Sequence, residues 1–402
     1  MPEQDVDDLE EILGSPLNTY REGNVEFLAP VVKKVVTASD VVFYNPRMEF
    51  SRDVSVCMIH AYHNITGNEM DLCEPLTSCG VRAIRWVCEV PGVRKVLSGD
   101  LNPKAVFLAD ANAYINGVSN KVEVRWSEAN LLLDDCLLHG RRFDVVDVDP
   151  FGSPIYFIDS AANALKKEGG LLCLTATDMQ PLCGIHQDAC LRKYGGISLR
   201  TEYCHEIAVR LLIGAAVRIM SRNDVGMRVV FSHSSDHYVR AYMLTGRNSM
   251  EADENLREMG YILHCFSCGN RRVVSSLPPI KGSKCEICGS NMKPAGPLWC
   301  GQIWSRSFTE AARIVAKELE HRFNRRLIRM LDLILSELDG PPTYYDLHSI
   351  SDSEGVNSPS TSKVIEFIRS KGLFASPTHF KGTCVRTTAD IETVRSIVRR
   401  LG

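Results

Sequence analysis

From about residue 70 to residue 244, short apolar runs alternate with segments whose apolar residues recur at helical spacing. That alternation is the pattern of βα units stacked into a mostly parallel sheet. It predicts strands over 70–74, 95–100, 122–125, 143–148 and 170–175, with helices between them over 81–89, 103–116 and 155–167. Pro103 suits a first helical position, where the missing N–H has no intrahelical partner to lose. Residues 227–233 and 238–244, split by a short polar turn, read as an antiparallel hairpin.

A break is expected at 245–255, after which cysteine pairs, prolines and glycines dominate up to Trp304. Residues 307–338 predict a long helix or a helix pair, with Phe323, Leu327, Met330, Leu331, Ile334 and Leu338 at helical spacing. Asp339-Gly-Pro-Pro ends it. The last sixty residues, with a capped helix beginning near Ser362 and a β segment around 381–386, suggest a small α+β module of winged-helix character. The expected division is therefore 1–245 and 246–402, the second part including a metal-binding segment at 261–290.

A length of 402 residues favours more than one domain. The net charge of −3 is unevenly spread, acidic at the start and Arg-rich near 322–329 and at the C-terminus, so an anionic partner must be met by local basic surface. No stretch is long and apolar enough to span a membrane. The acidic leader fits neither a signal nor a transit peptide. An intracellular setting follows, nuclear or cytoplasmic, in which the 15 cysteines point to metal or packing and not to disulfides. No obligate protein partner is evident.

The loop Glu74-Pro-Leu-Thr-Ser-Cys-Gly-Val-Arg82 has a single glycine, Gly80, and so lacks the fingerprint that cradles a dinucleotide pyrophosphate. S-adenosyl-L-methionine (AdoMet) has no phosphate and tolerates such a turn. Asp100 closes the second strand where an acid can take both ribose hydroxyls, and Glu128 follows the third strand, placed to reach an adenine edge. A parallel sheet finished by an antiparallel hairpin is the AdoMet-dependent methyltransferase pattern. The fold class expected is α/β, a Rossmann-like methyltransferase domain with a C-terminal α+β domain.

The run Phe143-Asp-Val-Val-Asp-Val-Asp-Pro-Phe-Gly-Ser-Pro154 sets Asp149, Pro150 and Phe151 directly after a strand, outside its carboxyl end, where open α/β sheets bind ligands. A carboxylate and the carbonyl before a proline give two acceptors for an exocyclic amine, and the next ring can stack on a flat base. By itself this core permits amino-methylation of guanine, adenine, cytosine or a protein amide. A noncatalytic RNA-binding protein that kept the fold is the reading from another class.

The chain resembles the tRNA guanine-26 N2-dimethyltransferase family. The resemblance rests on Arg21-Glu-Gly, Val42-Phe-Tyr-Asn-Pro-Arg-Met48 with Ser51-Arg-Asp53, Leu76-Thr-Ser-Cys-Gly-Val-Arg-Ala-Ile-Arg85, and Asp147-Val-Asp-Pro-Phe-Gly-Ser-Pro154. Thr175-Ala-Thr-Asp178 with Pro181-Leu-Cys-Gly184, Leu191-Arg-Lys-Tyr194, Asp236-His-Tyr-Val-Arg240 and Tyr344-Tyr-Asp-Leu-His348 extend it. It implies AdoMet contacts at Arg52, Arg82, Asp100, Glu128 and Ala129; Glu74 and Gly80 of the loop are expected to bind the cofactor beside them. It also implies Asp149 on the guanine amine and Phe43 with Phe151 sandwiching the base. Glu74 and Glu128 stand where relatives often have Asp, which lengthens the side chain and keeps the charge. The implied partner is tRNA, held by the C-terminal region, and the implied product carries one or two methyl groups on N2.

Cys265-Phe-Ser-Cys268-Gly and Cys285-Glu-Ile-Cys288-Gly form two C-x2-C pairs, sixteen residues apart, which read as a structural zinc site with four thiolates and no open position. Arg322, Arg325, Arg326 and Arg329 recur at i, i+3, i+4 and i+7, so one helical face is expected to be basic and able to track phosphates. Cys79 and Cys183 read as small packing residues, and the histidines, His205 among them, as hydrogen-bonded structural groups.

Overall fold

The computed structural model describes residues 3–31, 41–246, 248–275 and 283–402. The chain forms two compact units, Met1–Leu174 with Glu310–Arg329, and Thr175–Thr309 with Met330–Gly402.

Five parallel strands lie in the order Val122–Trp126, Val93–Asp100, Met70–Glu74, Val145–Val148, Leu171–Ala176. Every residue of the last two strands is buried, as strands covered on both faces require. The chain builds outward from Met70–Glu74 to one side and then returns to the other. The carboxyl ends of Met70–Glu74 and Val145–Val148 thus flank a topological switch point, where such sheets bind ligands.

The helices Val81–Glu89 and Pro103–Ile115 fall where the apolar spacing places them. Asn102 caps the second, accepting the Lys104 N–H at 3.0 Å. The helix expected over 155–167 is shorter: a 3-10 turn, Pro154–Phe157, precedes Ile158–Ala164. It stops because the chain turns extended at Leu165, where the Lys166 N–H goes to the Phe143 carbonyl at 2.9 Å.

Two elements of the first unit have no clear trace in the apolar pattern. A hairpin, Leu17–Glu22 and Val25–Pro30, is pinned by Asn112, whose side chain accepts the Leu28 N–H at 2.8 Å and donates to the Leu28 and Cys79 carbonyls at 2.9 Å. The helix Glu49–Thr66 is buried continuously from Phe50 to Tyr62 and carries Arg52 and Asp53.

The segment 307–338 is a helix pair, Arg306–Glu318 and Arg326–Glu337. The single basic helical face does not form. Arg322 lies in a 3-10 turn and Arg325 precedes the second helix, because Asn324 starts a new helix by accepting the Arg326 N–H at 3.0 Å. The Arg326 guanidinium stacks on Phe50, 4.5 Å from the ring centroid.

The second unit holds the antiparallel pair Met227–Ser235 and Tyr238–Thr245. Within the expected break a helix, Ser249–Arg257, forms behind an Asn248 cap that accepts the Glu251 N–H at 3.1 Å. A three-stranded sheet follows in the order Arg271–Val274, Met259–His264, Lys293–Trp299. The C-terminal module packs the helices Leu347–Glu354, Thr361–Ser370 and Ile391–Leu401 with a small sheet around Val364, Ile368, Val385, Val394 and Val398, all buried. Among the described residues no helix is long and apolar enough to cross a membrane.

Candidate functional site

The loop leaving Met70–Glu74 turns through Ser78 at φ +52° and Gly80 at φ +80° into the helix Val81–Glu89. A Cβ on Gly80 would lie 2.9 Å from the Ala109 Cβ, so both the backbone conformation and the close approach demand glycine. Asp100 holds this loop from the next strand: one carboxylate oxygen accepts the Ser78 N–H and the other the Asn102 N–H, each at 2.9 Å. Ser78 Oγ donates to the Phe43 carbonyl, and Asn102 Nδ2 donates to the Val41 carbonyl at 2.6 Å. The segment bearing Phe43 therefore hangs from the same loop that Asp100 fixes.

Arg82, in the first turn of that helix, is buried among three acids. Its Nε lies 3.3 Å from Glu74, its Nη1 3.6 Å from Asp147, and its Nη2 donates to Asp149. Asp147 is fully buried and accepts from Ser55 Oγ at 3.2 Å. Burial pushes the Glu74 carboxyl up to about 8 against the pull of Arg82, with Asp147 adding to the rise. One guanidinium among three carboxylates leaves the site short of positive charge, and buried Nη1 makes no hydrogen bond among the described residues.

Arg52 is committed elsewhere. It forms a buried bidentate pair with Glu22, Nε to Oε2 at 2.7 Å and Nη2 to Oε1 at 2.5 Å. Burial works to raise the Glu22 carboxyl, and Arg52 and then Arg85 outweigh it, so the group sits below its usual range. Arg85, also buried, joins Glu89 and Asp53, each at 2.8 Å. Glu128 caps the Ala129–Leu138 helix, its Oε2 accepting the Leu131 N–H at 3.0 Å; Ala129 is buried as the first helical residue.

Asp149 stands just past Val145–Val148 with its side chain 16% exposed, enough for a ligand to reach. Pro150 is buried, and Phe151 is 55% exposed. The Phe43 and Phe151 rings meet edge to face, 4.4 Å between centroids at 82°. A base stacked between them needs roughly 7 Å, twice the carbon contact distance, so the pair is closed on itself.

The structure thus gathers Glu74, Gly80, Arg82, Asp100, Asp149, Pro150, Phe151 and Phe43 around the switch point, with Arg52 held behind by Glu22. Glu22, Asp53, Ser78, Arg85 and Asp147 were not singled out by sequence reasoning as site residues. For Asp147 a signal existed, a carboxylate within an otherwise apolar strand. For Glu22 and Asp53 only the quoted motifs hinted at a role.

In the second unit the sulfurs of Cys265, Cys268, Cys285 and Cys288 all lie within 4.8 Å of one another. Tetrahedral zinc with bonds of about 2.3 Å separates sulfurs by roughly 3.8 Å, which fits. Each pair sits on a tight turn in which a left-handed glycine donates back to the first cysteine, Gly269 to Cys265 and Gly289 to Cys285, both at 2.8 Å. Asn270 Nδ2 approaches Cys285 Sγ at 3.6 Å. Residues 276–282 of the 261–290 segment lie outside the described residues.

Parallel sheet, switch-point loop and the strand-end Asp-Pro-Phe define a methyltransferase of the α/β class. The chain belongs to the N2,N2-dimethylguanosine tRNA methyltransferase family, whose model matches residues 23–399. It is 38% identical over 377 residues to the tRNA (guanine(26)-N(2))-dimethyltransferase of Methanosphaera stadtmanae, covering 94% of this chain and 95% of that one. It is 34% identical over 387 residues to the tRNA (guanine(26)-N(2)/guanine(27)-N(2))-dimethyltransferase of Aquifex aeolicus, covering 96% of each. The structure of Trm1 from Pyrococcus horikoshii in complex with S-adenosyl-L-methionine superposes with a TM-score of 0.81 at 29% identity, covering 95% of this chain and 100% of that one.

Proposed function

We propose that this chain methylates the exocyclic N2 of guanine 26 in tRNA, once or twice, with AdoMet as donor. Family membership and near-full-length relatives of that name support the reaction. The observation that carries the site is Asp149, a partly open carboxylate at the switch point beside two aromatic rings.

When bound, AdoMet supplies an electrophilic methyl group. Asp100 receives one backbone N–H on each oxygen and keeps lone pairs on both for the ribose hydroxyls. Gly80 brings the loop close beneath them, and Glu128 and Ala129 border the adenine end. Arg52 and Arg82, paired with Glu22 and with Glu74, back the pocket. The Asp149 carboxylate and its backbone carbonyl, directed by Pro150, accept the two N–H bonds of the amine and orient its lone pair. The displaced proton leaves through Asp149 or directly to solvent. Phe43 and Phe151 separate to stack on the flipped base, worth about 1 to 3 kcal/mol per base.

Residues 246–402 hold the tRNA and the cysteine knuckles hold a structural zinc. Phe266 supports this: it lies between two knuckle cysteines, 53% exposed, with Lys293 Nζ 5.6 Å from its ring centroid, an aromatic and a cation together on the surface.

The test is Asp149→Ala. AdoMet binding by calorimetry should persist while methylation falls at least 100-fold, and mass mapping of digested wild-type product should place the methyl groups on N2 of guanine 26. Near-wild-type turnover by the variant, or methyl groups on another base, rejects the assignment.

A further inference from the structure

Apart from the zinc knuckle, the second unit gathers a second set of metal-ligating side chains. Cys183, Cys204 and His205 offer one ligand atom each, and the three atoms lie within 4.8 Å of one another. They come from two separate pieces of chain. Cys183 ends the short helix Met179–Leu182, its N–H bonded to the Met179 carbonyl at 2.8 Å. Cys204 and His205 open the long helix Cys204–Ser221.

The backbone is built to keep them together. Gly184, the next residue after Cys183, sits at φ +89°, and a Cβ there would lie 2.4 Å from the Arg200 nitrogen, so the turn presses on the strand of chain leading into the long helix. His205 is oriented from its far side: Nδ1 lies 2.9 Å from Ser234 Oγ, which in turn reaches the Tyr238 carbonyl at 3.5 Å. A hydrogen bond from Nδ1–H to that hydroxyl would leave the lone pair on Nε2 for a metal. That is the arrangement an outer hydrogen bond imposes on metal-binding imidazoles.

We propose that Cys183, Cys204 and His205 form a second metal site, a soft three-ligand centre for a zinc-class divalent cation with one coordination position left for water or another donor. Two thiols and an imidazole are a ligand set that selects zinc over magnesium or calcium. Binding releases the two thiol protons to solvent and leaves two thiolate bonds and one nitrogen bond to the ion. The ion ties the Pro181-Leu-Cys-Gly184 turn to the start of the long helix. The site is independent of the knuckle ligands and of the methyl-transfer reading.

The experiment is metal analysis of the full chain purified anaerobically with zinc present. The wild type should carry two zinc ions per chain, a Cys183→Ser, Cys204→Ser double variant one, and a Cys265→Ser, Cys288→Ser double variant one. Alkylation of the wild type with iodoacetamide, read by mass spectrometry, keeps the test open if a variant does not fold: Cys183 and Cys204 should label at least 10-fold faster after a chelator is added. A zinc content that the Cys183→Ser, Cys204→Ser variant keeps unchanged from the wild type, equal labelling with and without chelator, or recovery of Cys183 and Cys204 as a disulfide overturns the proposal.

Discussion

Arg82 donates a hydrogen bond to Asp149 from inside the helix that follows the glycine loop, and it is the only cation within salt-bridge distance of that carboxylate among the described residues. The same guanidinium faces Glu74 and Asp147, so the proposed acceptor for the guanine amine is set by a residue that serves three acids at once. Replacing it with Met strands buried charge, a change that costs about 3 to 5 kcal/mol where a buried pair loses one partner. Arg82→Met should melt lower and lose methylation, and adding Asp149→Asn to it should cost less than the two single losses summed. Strict additivity in thermal melts counts against a shared network.

Glu74 gives a pH signature. Its carboxyl is raised in the folded state to about 8, from the ordinary 4.5, because burial outweighs Arg82. Between those values the folded chain holds a proton that the unfolded chain has lost, so this group's stabilising contribution is complete below about pH 4.5 and fades as pH rises to about 8. Glu74→Gln should therefore gain on the wild type as pH rises from 5 to 9. A difference in melting temperature that stays flat over that range speaks against a raised Glu74.

The opposite sign holds in the second unit. Burial works to raise the Glu206 carboxyl, but Arg386, at 2.8 Å, and Arg210 outweigh it and hold the group at about 2. Its contribution is present above the usual carboxylate range and is lost as pH falls from about 4.5 toward 2. Glu206→Gln should be destabilised by about 3 to 5 kcal/mol near neutrality, as for a buried cation left unpaired, with the gap to wild type closing during acid unfolding. A gap independent of pH places the loss in packing and not in charge.

Phe266 offers a way to test the proposed tRNA surface apart from the chemistry. Phe266→Ala should weaken tRNA binding about 5- to 160-fold, the range that loss of one stacked base implies, while AdoMet affinity stays within twofold. Filter binding against calorimetry reads the two, and unchanged tRNA affinity removes Phe266 from the contact surface.

The parallel strands and the helices Val81–Glu89 and Pro103–Ile115 were legible because each buries a recognisable pattern and ends on a marked turn. Glu49–Thr66 was not, because a helix buried on all sides from Phe50 to Tyr62 shows no polar stripe. Arg322 and Arg329 are correctly spaced for one helix, yet Asn324 starts a new one between them, a local cap that outweighs periodicity. Asp149-Pro-Phe declared itself as a strand-end motif. The pairing of Glu22 with Arg52 did not, since partners thirty residues apart meet only through the tertiary fold. Of the C-terminal arginines, Arg395 and Arg399 both lie against Glu354, at 3.3 and 3.0 Å.

Asp100 grips Ser78, and Ser78 in turn carries Phe43 by a hydrogen bond to its carbonyl. On the assignment proposed above, the ribose anchor and one leaf of the base slot therefore share a single hinge. Methyl donor and tRNA are then thermodynamically coupled ligands, and whatever factor the donor adds to tRNA affinity, tRNA must return to the donor. Three hydrogen-bonded residues would make substrate order a property of the loop.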